Sequence, residues 1–168
     1  YSPKMVEFMF CGIRAFLRFL KASGYTNTDL SSSLPTVKIP QKARIPSIWD
    51  PADLKKLLDT IDRGNPSGKR DYAIILLASR IGMRWVDIKF LKFNDNKWDE
   101  NRIEIIQKKT GRPVTYPLPR EIGWALIDYI QKGRPNCEDK NVFVRHTAPI
   151  CPFGDSSRLL DMIKKYMK

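Results

Sequence analysis

Arg84 and Asp87 stand three residues apart in the stretch RIGMRWVDI, residues 80–88, directly after the apolar run Ala73–Ala78. A guanidinium is a planar fork whose N–H groups match two oxygens of a phosphate, and a carboxylate close by orients it. The plain alternative is an ordinary ion pair at i and i+3 on a helix surface, worth a few tenths of a kcal/mol. A second basic group, Lys108, Lys109 and Arg112, falls in the short stretch KKTGR between two β-rich runs. Alone it reads equally well as a solvated turn. The two groups together point to an anionic ligand more firmly than either does.

The elements that position these residues follow from the local patterns. Arg70–Ala78 is an apolar helix placed to form the centre of a core, and Gly82 stops it before a new helix carrying Trp85, Ile88 and Leu91, so Arg84 sits at a helix junction. RIEIIQ and PVTYPL alternate as strands, and Gly111 supplies a positive φ between them, which predicts a β-hairpin with basic residues at its tip. Upstream, Asp50-Pro51 caps a helix with Leu54, Leu57, Leu58 and Ile61 inward, closed by Gly64. Downstream, Arg120 opens a helix burying Ile122, Ala125, Leu126 and Ile130, and Asp155 or Ser156 caps a last helix with Leu159, Leu160 and Ile163. Helices, a small antiparallel sheet and more helices make this an α+β domain, mainly α. Before it, Ser2-Pro3 opens an amphipathic helix that runs to Gly24, with more apolar surface than a lone helix hides. Ser31–Trp49 holds three prolines, three basic residues and no acid, which predicts an extended linker.

Charge gives the class of partner. The chain has 168 residues with Lys+Arg 30 against Asp+Glu 18, a net charge of +12. A field of that sign favours polyanions, of which nucleic acid is the commonest inside cells. Three cysteines, Cys11, Cys137 and Cys151, and the single His146 fit neither a disulfide framework nor a zinc site, and point to a reducing cytoplasm. No apolar run reaches the roughly 18 residues of a membrane span. The chain opens at Tyr1 already inside a helical pattern and reads as a fragment.

LLASRIGMRWVDIKFLKFND resembles the first-arginine box of the tyrosine recombinase (phage integrase) family, and IEIIQKKTGRPVTYPLP is similar to its lysine-bearing β-hairpin. The resemblance runs from about Ile45 to the C-terminus. It implies a helical catalytic domain with a small antiparallel sheet over 49–168, a basic linker over 31–48, and over 1–30 the last helix of a core-binding domain. It implies that Arg84 binds the scissile phosphate, that Asp87 holds Arg84, and that Lys109 is the general acid for the 5′-oxygen leaving group. Lys38, Lys42 and Arg44 of the linker, with Lys108 and Arg112, would contact the backbone of double-stranded DNA. The family's reaction proceeds through a 3′-phosphotyrosyl bond, needs no metal, ATP or other cofactor, and is carried out by homotetramers on paired sites, in a bacterium at the nucleoid.

Two family features have no counterpart. His146 is followed by Thr147-Ala148-Pro149 and does not fill the second box, His-x-x-Arg. None of Tyr1, Tyr25, Tyr72, Tyr116, Tyr129 and Tyr166 matches the nucleophile, and Tyr166 shares a packing spacing with Leu159 and Ile163. The expectation is a fragment that binds DNA and is inactive alone, from an active longer protein. Two other functions fit the charge: a non-catalytic DNA-binding regulator with the same fold, and a helical RNA-binding protein.

Overall fold

The computed structural model describes residues 3–36 and 49–167. The chain divides into two compact units, Tyr1–Ile48 and Trp49–Lys168.

In the first unit, helix α1 spans Pro3–Ala22 and ends at Gly24, whose φ is +76°. No residue of α1 is buried, and Phe8, Phe16 and Phe19 are exposed on it. Ser2, the expected cap, lies outside the described residues. The linker expectation needs correcting at its start, because Leu30–Ser33 form a turn of 3-10 helix. Asp29 explains it: its carboxylate accepts the Ser31 N–H at 2.9 Å, a local bond that coils the chain before the first linker proline. The Arg14 guanidinium donates to the Pro35 carbonyl at 2.7 Å and ties this segment back to α1.

The second unit runs α2 (Pro51–Asp59), α3 (Pro66–Arg80), α4 (Trp85–Lys89), β1 (Asn96–Lys97), β2 (Arg102–Ile106), β3 (Pro113–Pro117), α5 (Arg120–Lys132) and α6 (Leu159–Lys164). Asp50 caps α2 by accepting the Ala52 N–H at 2.7 Å. That helix stops at Asp59, short of Gly64, because Asp62 folds the next residues into a turn by accepting from the Gly64 N–H and the Asn65 amide. Asn65 then caps α3 through the Gly68 N–H. Ile74, Leu76 and Leu77 of α3 are fully buried with Ile88, Leu91, Ile103, Ile122 and Leu126, so α3 is the axis of the core. Burying such side chains contributes about 1.5–3 kcal/mol each.

β2 and β3 pair antiparallel with Ile103 opposite Tyr116 and Ile105 opposite Val114, the register that turns Ile103 and Ile105 inward. The two-residue β1 adds a third strand beside β2 that the sequence pattern does not predict. In α5 the inward residues are Ile122, Ala125, Leu126 and Tyr129, with Ile130 half-buried. Neither Asp155 nor Ser156 caps α6; its first residue follows Arg158, and Leu160 faces out. Asp155 is drawn instead to Lys89.

Candidate functional site

Helix α3 ends at Arg80, and the reversal that follows depends on Gly82, whose φ of +66° is a conformation that side chains with a Cβ resist. No atom lies within 4 Å of where its Cβ would be, so the requirement is conformational and not one of space. Met83 is buried, and its N–H donates to the Leu77 carbonyl at 3.2 Å, which fixes the turn to the end of α3. Arg84 comes next in an extended conformation (φ −69°, ψ 143°) as the residue before α4. Its carbonyl accepts from the Asp87 and Ile88 N–H groups at 2.9 and 3.0 Å. Its side chain is exposed and has no hydrogen bond or ion pair among the described residues.

The expected pairing of Asp87 with Arg84 is not made. Arg84 is outside the helix, so the i, i+3 geometry of two helical residues does not apply. Asp87 is 3% exposed and turns to the hairpin, where its Oδ1 accepts the backbone N–H of Lys108 at 2.9 Å. Its Oδ2 is buried with no donor among the described residues.

The hairpin turn is closed by local bonds. Gln107 N–H donates to the Arg112 carbonyl at 2.9 Å, and Gly111 N–H, at φ +67°, donates to the Gln107 carbonyl at 2.8 Å. The Thr110 hydroxyl donates to the Gln107 side-chain oxygen at 2.9 Å. Lys109 and Arg112 are exposed, and their side chains have no partner among the described residues. The Lys108 ammonium lies 5.3 Å from the centre of the Phe90 ring. Between the hairpin and α4 is an open cleft of about 440 Å³, lined by Asp87, Phe90, Gln107 and Lys108. Asp87 therefore links Arg84 and the lysine turn, its backbone N–H donating to the Arg84 carbonyl and its carboxylate accepting from the turn. Lys38, Lys42 and Arg44 lie outside the described residues.

The profile of the phage integrase family matches residues 48–166. The chain belongs to the phage integrase family. It is 35% identical over 156 residues to y4rA, a proposed integrase/recombinase of Sinorhizobium fredii, covering 93% of this chain and 38% of that protein. It is 27% identical over 134 residues to the tyrosine recombinase XerD of Listeria innocua, covering 80% of this chain and 44% of XerD. This chain thus spans less than half the length of either relative. The crystal structure of the XerA recombinase shares the fold at a TM-score of 0.60 and 19% identity, covering 99% of this chain and 56% of that one.

Two phenols, Tyr129 of α5 and Tyr166 after α6, are engaged inside this family member. Tyr166 donates to Oδ2 of Asp71 at 2.8 Å; burial and the hydrogen bond to that carboxylate push its pKa above the ordinary phenol value. Burial raises Tyr129 to about 12, with its hydroxyl 3.4 Å from Nε2 of His146. Both phenols are held in the protonated form and committed to packing. Burial first, and then the positive charge of Arg70, lower the pKa of His146. Among the described residues, no group of three or more His, Cys, Asp or Glu side chains is placed to hold a metal ion. No described helix is long and apolar enough to cross a membrane.

The sequence pattern gives Trp85 a place on its helix but no partner, and gives Lys89 no role. Both face the segment before α6, where the Trp85 indole N–H donates to the Ser157 carbonyl at 2.8 Å and the Lys89 ammonium to the Gly154 carbonyl at 3.1 Å. Their i, i+4 spacing was the available signal, since it puts them on one face of α4.

Proposed function

We propose that this chain forms the phosphate-binding part of a tyrosine recombinase that exchanges strands between duplex DNAs. Residues 49–168 belong to its catalytic domain, 31–48 to the linker and 1–30 to a core-binding domain. Arg84 grips the scissile phosphate and neutralises charge as phosphorus becomes five-coordinate. A tyrosine outside this chain attacks phosphorus through its phenol oxygen, whose proton passes to solvent, and the bond to the 5′-oxygen breaks. Lys109 gives its proton to that oxygen, so that a hydroxyl leaves in place of an alkoxide. The 3′-phosphotyrosyl bond conserves the energy for rejoining, without a metal or other cofactor. Asp87 acts through the hairpin, holding the lysine turn at a fixed distance from Arg84. Lys38, Lys42, Arg44, Lys108 and Arg112 follow the DNA backbone, and a homotetramer on paired sites in the cytoplasm is the working assembly. The 168 residues alone bind duplex DNA and do not cleave it.

The observation that supports this reading most is an exposed Arg84, unpartnered among the described residues, directly before the helix whose Asp87 pins the lysine-bearing turn. In a longer protein carrying this chain, Lys109→Ala should slow cleavage of an ordinary phosphodiester by 100-fold or more, in the range of about 10²–10⁴ typical of lost general acids. A substrate with sulfur in the 5′-bridging position should restore the rate, because a thiolate leaves without a proton. Lys108→Ala should need no such rescue. Failure of sulfur to rescue Lys109→Ala, or rescue of Lys108→Ala instead, overturns the assignment of the acid.

A further inference from the structure

Helix α4 is gripped from two sides. The hairpin side is the Asp87 bond described above. On the other side, the segment from Phe153 to Ser157 is strapped to α4 by two residues that a phosphate-binding helix does not itself need. The Trp85 indole donates to the Ser157 carbonyl, and its ring meets Phe153 edge-on at 5.4 Å. Lys89 is 5% exposed, a charge taken almost wholly out of water. Its ammonium is held by the Gly154 carbonyl, by Asp155 at 3.4 Å and by the face of Phe90 at 4.9 Å. A buried lysine is costly unless it is paired, and here the pairing is spent on one irregular segment.

What the strap delivers is Arg158. It follows Ser157 directly, is exposed, and has no hydrogen bond or ion pair among the described residues. Trp85 follows Arg84 directly. The backbones that carry the two free guanidiniums are therefore separated by little more than one tryptophan side chain and one hydrogen bond. From this we infer that Trp85 and Lys89 are positioning residues that lock Arg158 beside Arg84, so that one DNA strand meets two guanidiniums set by the same short helix. The inference rests on the proposed DNA-binding function and extends it to a second, strapped cation.

The test uses Trp85→Phe, which keeps the ring against Phe153 and removes only the N–H, and Lys89→Met, which keeps the length and removes the charge. Duplex binding by the full 168-residue chain is measured from 50 to 200 mM salt, with thermal midpoints as a control on folding. Each phosphate contact contributes about 0.9 to the slope of log affinity against log salt, so losing one makes the fall in affinity over this range about threefold smaller. Arg158→Ala should show that loss, Trp85→Phe should reproduce it, and the double variant should lose nothing more. Lys89→Met should change the slope in the same direction. A merely structural role would lower the midpoint without moving the slope. If the wild-type chain binds with a salt-dependent affinity but Trp85→Phe leaves the slope unchanged, or if its effect adds to that of Arg158→Ala, the positioning role is overturned and the DNA reading stands. If the wild-type chain does not bind at low salt, the DNA reading falls and this inference with it.

Discussion

Arg70 lies in the first half of the core helix α3 and Arg84 in the turn after its end, and their surroundings are opposite. Arg70 donates to Oδ1 of Asp71 through Nε at 2.9 Å and Nη2 at 2.7 Å, and through Nη1 to the Val144 carbonyl. It also lies over the Phe153 ring at 5.1 Å. Asp71, 1% exposed, is shared further with the Tyr166 hydroxyl and the Lys165 ammonium at 3.5 Å. Arg84 has none of these contacts, although a buried methionine and a glycine turn fix its backbone. One arginine is engaged by the protein through all three nitrogens and, with Asp71, ties Val144, Phe153 and the residues after α6 to α3. The other is presented with its donors free among the described residues. An arginine with all three nitrogens engaged tells of architecture, and an arginine held rigidly with its donors open tells of a ligand.

The contrast is broken most easily on the engaged side. Asp71→Ala leaves the Arg70 guanidinium buried without its partner and should destabilise the fold by about 3–5 kcal/mol, measured by urea unfolding. Arg84→Ala removes no hydrogen bond or ion pair among the described residues and should stay within about 0.5 kcal/mol of the wild type. Comparable destabilisation by the two would erase the distinction.

A smaller effect sharpens it. Asp87 belongs to both worlds, a buried carboxylate serving an exposed site. Asp87→Ala takes the acceptor from the part-buried Lys108 N–H and should destabilise by about 1 kcal/mol, the net worth of one hydrogen bond. Asp87→Asn keeps an oxygen for that N–H and should lose less. Hydrogen exchange at the Lys108 amide separates them: protection is lost in the alanine variant and retained in the asparagine variant. Equal exchange in both would mean that Asp87 does not pin the hairpin.

The sequence carried the positions of the site residues better than their partners. The Gly82 junction and the Gly111 turn were legible because a positive φ at glycine is a local requirement, and the hairpin register follows from alternation of Ile103 and Ile105 with polar residues. Asp87 was visible as a carboxylate near Arg84, but its partner is 21 residues away, and spacing along a helix reports only neighbours within about one turn. The spacing put Lys89 on one face with Trp85, but its partners were unreadable for the same reason, since Gly154 and Asp155 reach it through tertiary folding. The strand Asn96–Lys97 is too short to carry a period, and it exists because β2 offers an edge. Asp155, an expected helix cap, was captured by a buried ammonium that no local rule places there.

The central claim is that Arg84 is held for a phosphate, and the salt dependence of duplex binding by the wild type and Arg84→Ala tests it most directly. With folding checked by thermal midpoint, the account predicts unchanged midpoints and a slope of log affinity against log salt smaller by about 0.9, one phosphate contact. An Arg84→Ala chain that keeps the wild-type slope, or that loses affinity only in step with a lowered midpoint, would contradict it.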